Sequence, residues 1–240
     1  MTSDGGAAGR ARRGKTVKPM RDRTRTASSQ RWLERQLNDP YVAEARRTGY
    51  RSRAAFKLIQ LDDKFRLFRR GRRIVDLGAA PGGWTQVAVE RTGAADPGGG
   101  CVVAVDLLAM DPIAGAELLR LDFLAETAEA AIKAAIKASL GGAADVVLSD
   151  MAAPATGHRD TDRLRAEVLA EAVVAFARDV LAPGGALVTK TFHGATAPEL
   201  VALLKRDFAE VRHVKPAASR SGSAEIYLVA TGFRGRGDEG

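Results

Sequence analysis

The sequence predicts an α/β fold: a mostly parallel sheet of seven strands, with helices on both faces and an antiparallel strand pair at one edge. Three observations predict it. From Arg72 onward, short apolar runs alternate with helical stretches. Asp76, Asp106, Asp122, Asp150 and Lys190 each stand at or just after the end of such a run. A glycine-rich turn at residues 78–83 joins the first run to the helix that follows it.

The elements follow in order. Ser28 and Ser29 are placed to cap a short helix carrying Trp32, Leu33 and Leu37, and a second short helix is expected after Pro40. A third spans Arg53 to Phe65, with Leu58, Leu61 and Phe65 on one face. Arg73 to Leu77 is the first strand, and Thr85 to Arg91 continues as a helix. Val102 to Val105 and Leu118 to Leu121 are the next strands, and an alanine-rich helix over Glu126 to Leu140 leads to the fourth, Asp145 to Ser149. A long helix over Asp162 to Leu181 is predicted to turn Leu164, Val168, Ala172, Ala175 and Val180 inward. Pro183-Gly184-Gly185 stops it. Ala186 to Thr189 is the fifth strand, and Pro198 to Asp207 the last helix. Glu210 to Val214 and Glu225 to Ala230, joined only by a loop, form the antiparallel edge pair.

A chain of 240 residues accommodates one sizeable domain with modest extensions. No apolar run approaches the roughly 18–20 residues of a membrane span, and the arginine-rich start lacks the apolar core of a secretory signal. Cys101 is the only cysteine, which fits a reducing, cytoplasmic setting. His158, His193 and His213 stand apart, so no metal site is expected.

The net charge of +8 is unevenly spread. Residues 1–30 hold eight Lys or Arg against Asp4 and Asp22, a balance of +6. Residues 31–73 hold thirteen against five, a balance of +8, and the remainder sixteen against twenty-two, a balance of −6. A cationic front on a mildly acidic body suits an anionic polymer, nucleic acid before membrane. Residues 1–27 have almost no large apolar side chain and are expected to form a disordered basic tail. Residues 28–232 then make one domain with a helical extension at 28–71, and residues 233–240 a flexible tail.

Ligands of such sheets collect beyond the carboxyl ends of the strands. The turn Asp76-Leu77-Gly78-Ala79-Ala80-Pro81-Gly82-Gly83-Trp84 is the most specific local signal. It lacks the Lys-Ser/Thr of a phosphate-binding P-loop, and the dinucleotide pattern G-x-G-x-x-G is missing too. A loop without a phosphate-binding lysine, ringed by carboxylates, suits a cationic ligand bearing ribose and adenine. S-adenosylmethionine meets that description. Asp106 is placed for the ribose hydroxyls, Asp122 for the adenine amino group, and Asp150 for the neighbourhood of the sulfonium and its methyl.

That glycine turn, Ser149-Asp150-Met151-Ala152 and Asp179-Val180-Leu181-Ala182-Pro183-Gly184-Gly185 resemble the FtsJ/RlmE family of ribosomal RNA 2′-O-methyltransferases. So do Arg51-Ser52-Arg53-Ala54-Ala55-Phe56-Lys57-Leu58 and Glu225-Ile226-Tyr227-Leu228-Val229-Ala230-Thr231-Gly232. The resemblance covers roughly residues 28 to 232. It implies a Rossmann-like class I S-adenosylmethionine-dependent methyltransferase fold, with a catalytic tetrad at Lys57, Asp150, Lys190 and Glu225. It also implies cofactor contacts at Gly82, Trp84, Asp106, Asp122 and Asp150. The implied substrate is a uridine 2′-hydroxyl of 23S ribosomal RNA on the assembled 50S subunit, methylated by a monomer. Ala55, Ser221-Gly222-Ser223-Ala224 and the extra alanine in Met151-Ala152-Ala153-Pro154 depart from the family pattern without touching the tetrad.

Lys190 is the central group in this reading, either as a base or by orienting the lone pair of the ribose oxygen. Arg51, Arg53, Lys57 and the tail arginines are expected to add phosphate contacts. The alternatives are a 2′-O-methyltransferase for transfer RNA or a messenger cap, and an RNA-binding ribosome-assembly factor without catalysis. A dinucleotide-dependent oxidoreductase is the remotest.

Overall fold

The computed structural model describes residues 26–154, 156–194 and 196–235. The basic tail expected at residues 1–27 therefore lies almost wholly outside the described residues.

Three helices open the described chain: α1 (Ala27–Leu37), α2 (Pro40–Thr48) and α3 (Ala55–Phe65). The cap of α1 is Thr26, not Ser28 or Ser29: its side chain accepts from the Ser29 N–H, and both serines lie inside the helix. Asp39 caps α2, with Pro40 in the first turn, where its missing N–H costs nothing.

The rest of the chain alternates as predicted: β1 (Arg73–Leu77), α4 (Gly83–Thr92), β2 (Cys101–Asp106), β3 (Ala116–Arg120), α5 (Ala128–Leu140), β4 (Ala144–Ser149), α6 (Arg159–Val180), β5 (Leu181–Phe192), α7 (Pro198–Asp207), β6 (Phe208–Val214) and β7 (Glu225–Phe233). They form one seven-stranded sheet in the order β3-β2-β1-β4-β5-β7-β6. Strands β1 to β5 run parallel. The expected antiparallel edge pair is formed by β6 and β7, and of the two it is β7 that runs against the rest of the sheet. It inserts between β5 and β6 and pairs antiparallel with both, so β6 is the edge strand on this side and β3 on the other.

Strand alternation divides the core in two. Val75, Leu77, Val103, Val105, Val147 and Leu187 pack with α5, α6 and α7 on one face. Ile74, Val102, Val146, Leu148, Val188 and Val229 pack with α3 and α4 on the other. The inward face of α6 agrees with the predicted one at Val180, which is buried, and differs from it further up the helix. Leu164 and Val168 are 61% and 59% exposed, and Ala175 is exposed too. Ala166, Ala170, Val173, Val174, Phe176 and Ala177 line the sheet side instead. The two large side chains suggested the stripe, whereas alanines let the helix lie close to the strands. Pro183-Gly184-Gly185, expected to stop the long helix, follows its end at Val180 and falls inside β5. There the register jumps from Ala144↔Leu181 to Val146↔Ala186, a bulge with Gly184 at φ +78°.

Candidate active site

The strand ends that carry acidic residues meet at one edge of the sheet, beneath the glycine turn. Gly78 (φ +76°) and Gly82 (φ +108°) occupy the left-handed region. Both are also hemmed in. A Cβ on Gly78 would lie 2.9 Å from the Met151 backbone nitrogen, and one on Gly82 2.8 Å from Ile113 Cδ1 and 3.0 Å from Arg51 Nη1. Three bonds from β2 hold the turn: Val105 O accepts from Gly78 and Ala79 N–H, and Asp106 Oδ2 accepts from Ala80 N–H at 2.8 Å. Helix α4 starts inside the turn, two residues earlier than predicted, with Gly82 as its cap.

Four charged side chains converge on the α3/α4 face. Lys57 enters from α3 on the same helical face as Leu58 and Leu61, so burying those leucines carries the lysine in with them. Lys190 shares its strand face with Val188, and Tyr227 shares its face with Val229 and Glu225. Lys190 and Tyr227 are partners in the β5–β7 register. Asp150 follows directly on β4, its N–H bonded to Leu77 O.

The contacts form a chain. Lys57 Nζ lies 2.8 Å from Glu225 Oε1 and 3.9 Å from Asp150 Oδ2. It also donates to the Tyr227 hydroxyl at 3.0 Å, which donates in turn to Asp150 Oδ1 at 2.8 Å. Lys190 Nζ is 3.1 Å from Asp150 Oδ1 and donates to the Asp150 carbonyl. The side chains of Lys57, Asp150, Lys190 and Glu225 are 10–17% exposed, so the pairs interact in a medium far less polar than water. Burial alone would raise the Glu225 carboxyl. The charge and hydrogen bond of Lys57, the Ser219 hydroxyl and the Lys190 charge instead hold it below its ordinary value. Burial and the nearby Asp150 and Glu225 carboxylates push the Tyr227 phenol well above its usual range, so it stays protonated and can donate.

All four tetrad positions are thus brought together, and Tyr227 joins them. Sequence reading passed over Tyr227, although its place two residues after Glu225 on a strand puts both on one face. Ser219 was missed as well. It reaches Glu225 Oε1 at 2.9 Å from the loop before β7, where no periodicity marks it.

The residues expected to hold a cofactor are spread along the rim. Asp106 is half-buried, its second oxygen accepting from Leu108 N–H at 2.7 Å, and Asp122 is exposed beyond β3 with Leu124 N–H bonded to it. Trp84 stands in the first turn of α4 with its ring turned inward. It is 3% exposed, donates to Ala54 O at 2.8 Å and packs against the Tyr227 ring, which makes it a wall between α3 and the sheet.

Asp76 is the least expected member. It is fully buried, accepts from the Thr85 hydroxyl at 2.7 Å through Oδ2, and has no partner for Oδ1 among the described residues. Burial raises its carboxyl to about 7; the Thr85 hydrogen bond opposes this, and the Asp150 and Asp106 charges add to it. A narrow glycine cradle with three carboxylates close by fits a cationic adenosyl ligand and repels a phosphorylated one.

Arg51 and Arg53 do not reach outward for phosphates. Arg51 donates to the carbonyls of Pro81, Asp111 and Pro112. Arg53 pairs with Asp39 at 2.9 Å and donates to Ala218 O. Lys57 is absorbed in the tetrad. The exposed cations of this region that have no acidic partner among the described residues are Arg46, Lys64, Arg66 and Arg69, whereas Arg47 and Arg70 pair with Glu44 and Asp96.

A parallel sheet with one inserted antiparallel strand, a glycine turn after β1 and lysines paired to carboxylates at the strand ends defines an α/β transferase. The profile of the FtsJ-like methyltransferase family matches residues 50–233, and the chain belongs to that family. It is 59% identical to the ribosomal RNA large subunit methyltransferase E of Azorhizobium caulinodans, over 90% of this chain and 88% of that protein. The protein of the same name from Bradyrhizobium diazoefficiens is 61% identical over 88% of this chain and 90% of its own. A crystal structure described as a ribosomal RNA methyltransferase from Plasmodium falciparum superposes with a TM-score of 0.69 at 31% identity, covering 78% of this chain and 100% of that one.

Proposed function

We propose that the protein methylates the 2′-hydroxyl of a uridine in large-subunit ribosomal RNA, presented on the assembled 50S subunit, with S-adenosylmethionine as donor. The observation that carries this reading is the chain Lys190–Asp150–Tyr227–Lys57–Glu225 beside a glycine cradle that suits an adenosyl cation. The name shared by the two bacterial relatives supports the ribosomal substrate.

Gly82, Asp106, Asp122 and Asp150 would hold the cofactor, with Trp84 backing the wall. S-adenosylmethionine supplies an electrophilic methyl group on a sulfonium. The protein's own residues handle the acceptor. A ribose hydroxyl is a weak acid and must be oriented, and relieved of its proton, as the new bond forms. Two acceptors on Asp150 fix the direction of the Lys190 ammonium and leave one N–H for the crevice. That N–H would orient the ribose oxygen so that its lone pair faces the methyl carbon; as the new O–C bond forms the methyl–sulfur bond would break, and the hydroxyl proton would pass to solvent. Lys57 adds positive charge where the oxygen becomes more negative, and Glu225 holds Lys57 in place. Arg46, Lys64, Arg66 and Arg69 lie on the same extension as Lys57 and supply phosphate contacts.

The test is methyl transfer from labelled S-adenosylmethionine to 50S subunits, free 23S RNA, 30S subunits and transfer RNA, with nucleoside mass spectrometry of the product. A 2′-O-methyluridine formed chiefly on 50S subunits is expected. Methylation of transfer RNA alone, or of a base instead of a ribose, would overturn the reading.

A further inference from the structure

The side chain of Arg51 makes a contact that no catalytic role explains. Its Nη1 donates to Asp111 O at 2.7 Å and to Pro81 O at 3.3 Å, and its Nη2 to Pro112 O at 2.9 Å. These three carbonyls belong to two separate segments: Pro81 lies in the glycine turn after β1, and Asp111 and Pro112 lie in the loop after β2. The arginine stem also fills the space beside Gly82, where an added Cβ would sit 3.2 Å from Arg51 Cδ and 2.8 Å from Ile113 Cδ1. The segment bearing Arg51 is itself anchored to α4, since Gln86 Oε1 accepts from Arg51 N–H at 2.8 Å and Gln86 Nε2 donates to Gly49 O at 3.1 Å.

A guanidinium is planar and presents five N–H donors in a fixed fork, so it can hold several carbonyls at one spacing. Groups assigned to the cofactor stand on both segments: Gly82 in the first, and Asp106 at the end of β2, from which the second departs. Loops already held together need no further ordering when a ligand enters between them. We infer that Arg51 is a positioning residue for S-adenosylmethionine: it clamps the glycine turn to the Asp111–Pro112 loop and so sets the width of the cofactor crevice. This rests on the reading of S-adenosylmethionine as donor. It also places the function of Arg51 away from RNA phosphates, where its charge alone would have put it. Arg53, two residues on, faces the opposite wall, donating to Ala218 O in the loop before β7. Residues 51–57 thereby tie both walls of the site to the helix that bears Lys57.

The full-length protein and its Arg51→Lys and Arg51→Ala variants would be compared in three measurements: calorimetric binding of S-adenosylmethionine, steady-state kinetics on 50S subunits, and the salt dependence of RNA binding. Lysine keeps the charge but loses the fork, so both variants are expected to weaken cofactor binding about tenfold or more. KM for S-adenosylmethionine should rise likewise, with kcat at saturating cofactor within about threefold of wild type. A defect in folding would instead lower kcat through the active fraction and leave KM alone. The slope of log affinity against log salt should match wild type in both variants. The inference is overturned if wild type binds the cofactor and both variants bind it equally well. It is also overturned if Arg51→Ala flattens the salt slope by about 0.7–0.9, the loss of one phosphate contact, with cofactor affinity unchanged. Should Arg51→Ala fail to fold, Arg51→Lys decides by the same KM measurement. Wild-type protein that does not bind S-adenosylmethionine would sink the donor assignment itself and the clamp with it.

Discussion

Lys190 and Tyr227 face each other across β5 and β7, and both reach the same oxygen of Asp150, at 3.1 and 2.8 Å. The antiparallel insertion of β7 creates this meeting. It sets Glu225 and Tyr227 beside a lysine that a parallel neighbour would have presented from the other strand direction. Because Tyr227 also accepts from Lys57, the two lysines are linked through one phenol and one carboxylate. The site behaves as a unit, and removing one member leaves others buried without partners.

Tyr227→Phe keeps the ring that packs on Trp84 and removes only the hydroxyl. Lys57 then loses one of its acceptors and Asp150 one of its donors. Methyl transfer should fall about ten- to a hundredfold, equivalent to roughly 1.4–2.7 kcal/mol in the barrier, with cofactor affinity within about twofold. Single-turnover kinetics at the wild-type rate would show that the phenol does not position the lysines.

Lys190→Ala should bind S-adenosylmethionine as the wild type does and lose nearly all methyl transfer. Labelled methyl incorporation beside calorimetry separates the two effects. Activity within about threefold of wild type would remove Lys190 from the centre of the mechanism.

Stability should respond to pH in two windows with opposite signs. Asp76 has its carboxyl raised to about 7 in the folded protein, so between its unfolded value near 4 and about 7 the folded state holds a proton that the unfolded state has lost. Its contribution is complete below pH 4 and is lost as pH rises toward 7. Glu225 is lowered in the folded state, so its contribution is present above about pH 4.5 and is lost as pH falls through the folded value. Asp76→Asn mimics the protonated acid and should flatten the decline of Tm between pH 4 and 7. At pH 8 the variant should be more stable than wild type by a few °C, at about 2–4 °C per kcal/mol. Calorimetric scans with an unchanged slope would show that Asp76 is ionised throughout.

Residues 1–25 carry eight Lys or Arg. Their removal should weaken RNA binding at low salt and reduce the log–log salt slope by several units, since each phosphate contact contributes about 0.7–0.9. Filter binding at three or more salt concentrations measures it. A slope equal to that of the full chain would mean that these cations make no phosphate contacts.

Much of this site could be read from the chain alone, for a definite reason. Strand ends announce themselves: an apolar run of four to six residues stops at a charge, and the parallel direction of β1 to β5 then brings all such ends to one side of the sheet. Asp106, Asp150 and Lys190 were legible on those grounds, and the glycine turn through its composition; Asp76 was legible only as a strand-end charge. Lys57 and Glu225 were not. On position alone they are a helix lysine and a strand glutamate, and only the motif resemblance singled them out.

Element order, the two-faced parallel sheet and the charges at its strand ends are written in local patterns, because periodicity and turn chemistry act over a few neighbouring residues. Folding alone settles that β7 enters between β5 and β6, that α6 buries its alanines and leaves Leu164 and Val168 outside, and that Arg51 turns inward. Those outcomes depend on contacts between residues far apart in the chain. Arg51 meets a carbonyl 60 residues away and Lys57 a phenol 170 residues away. An arginine's charge looks alike in sequence whether its partner is a phosphate or three carbonyls, and only folding supplies the partner.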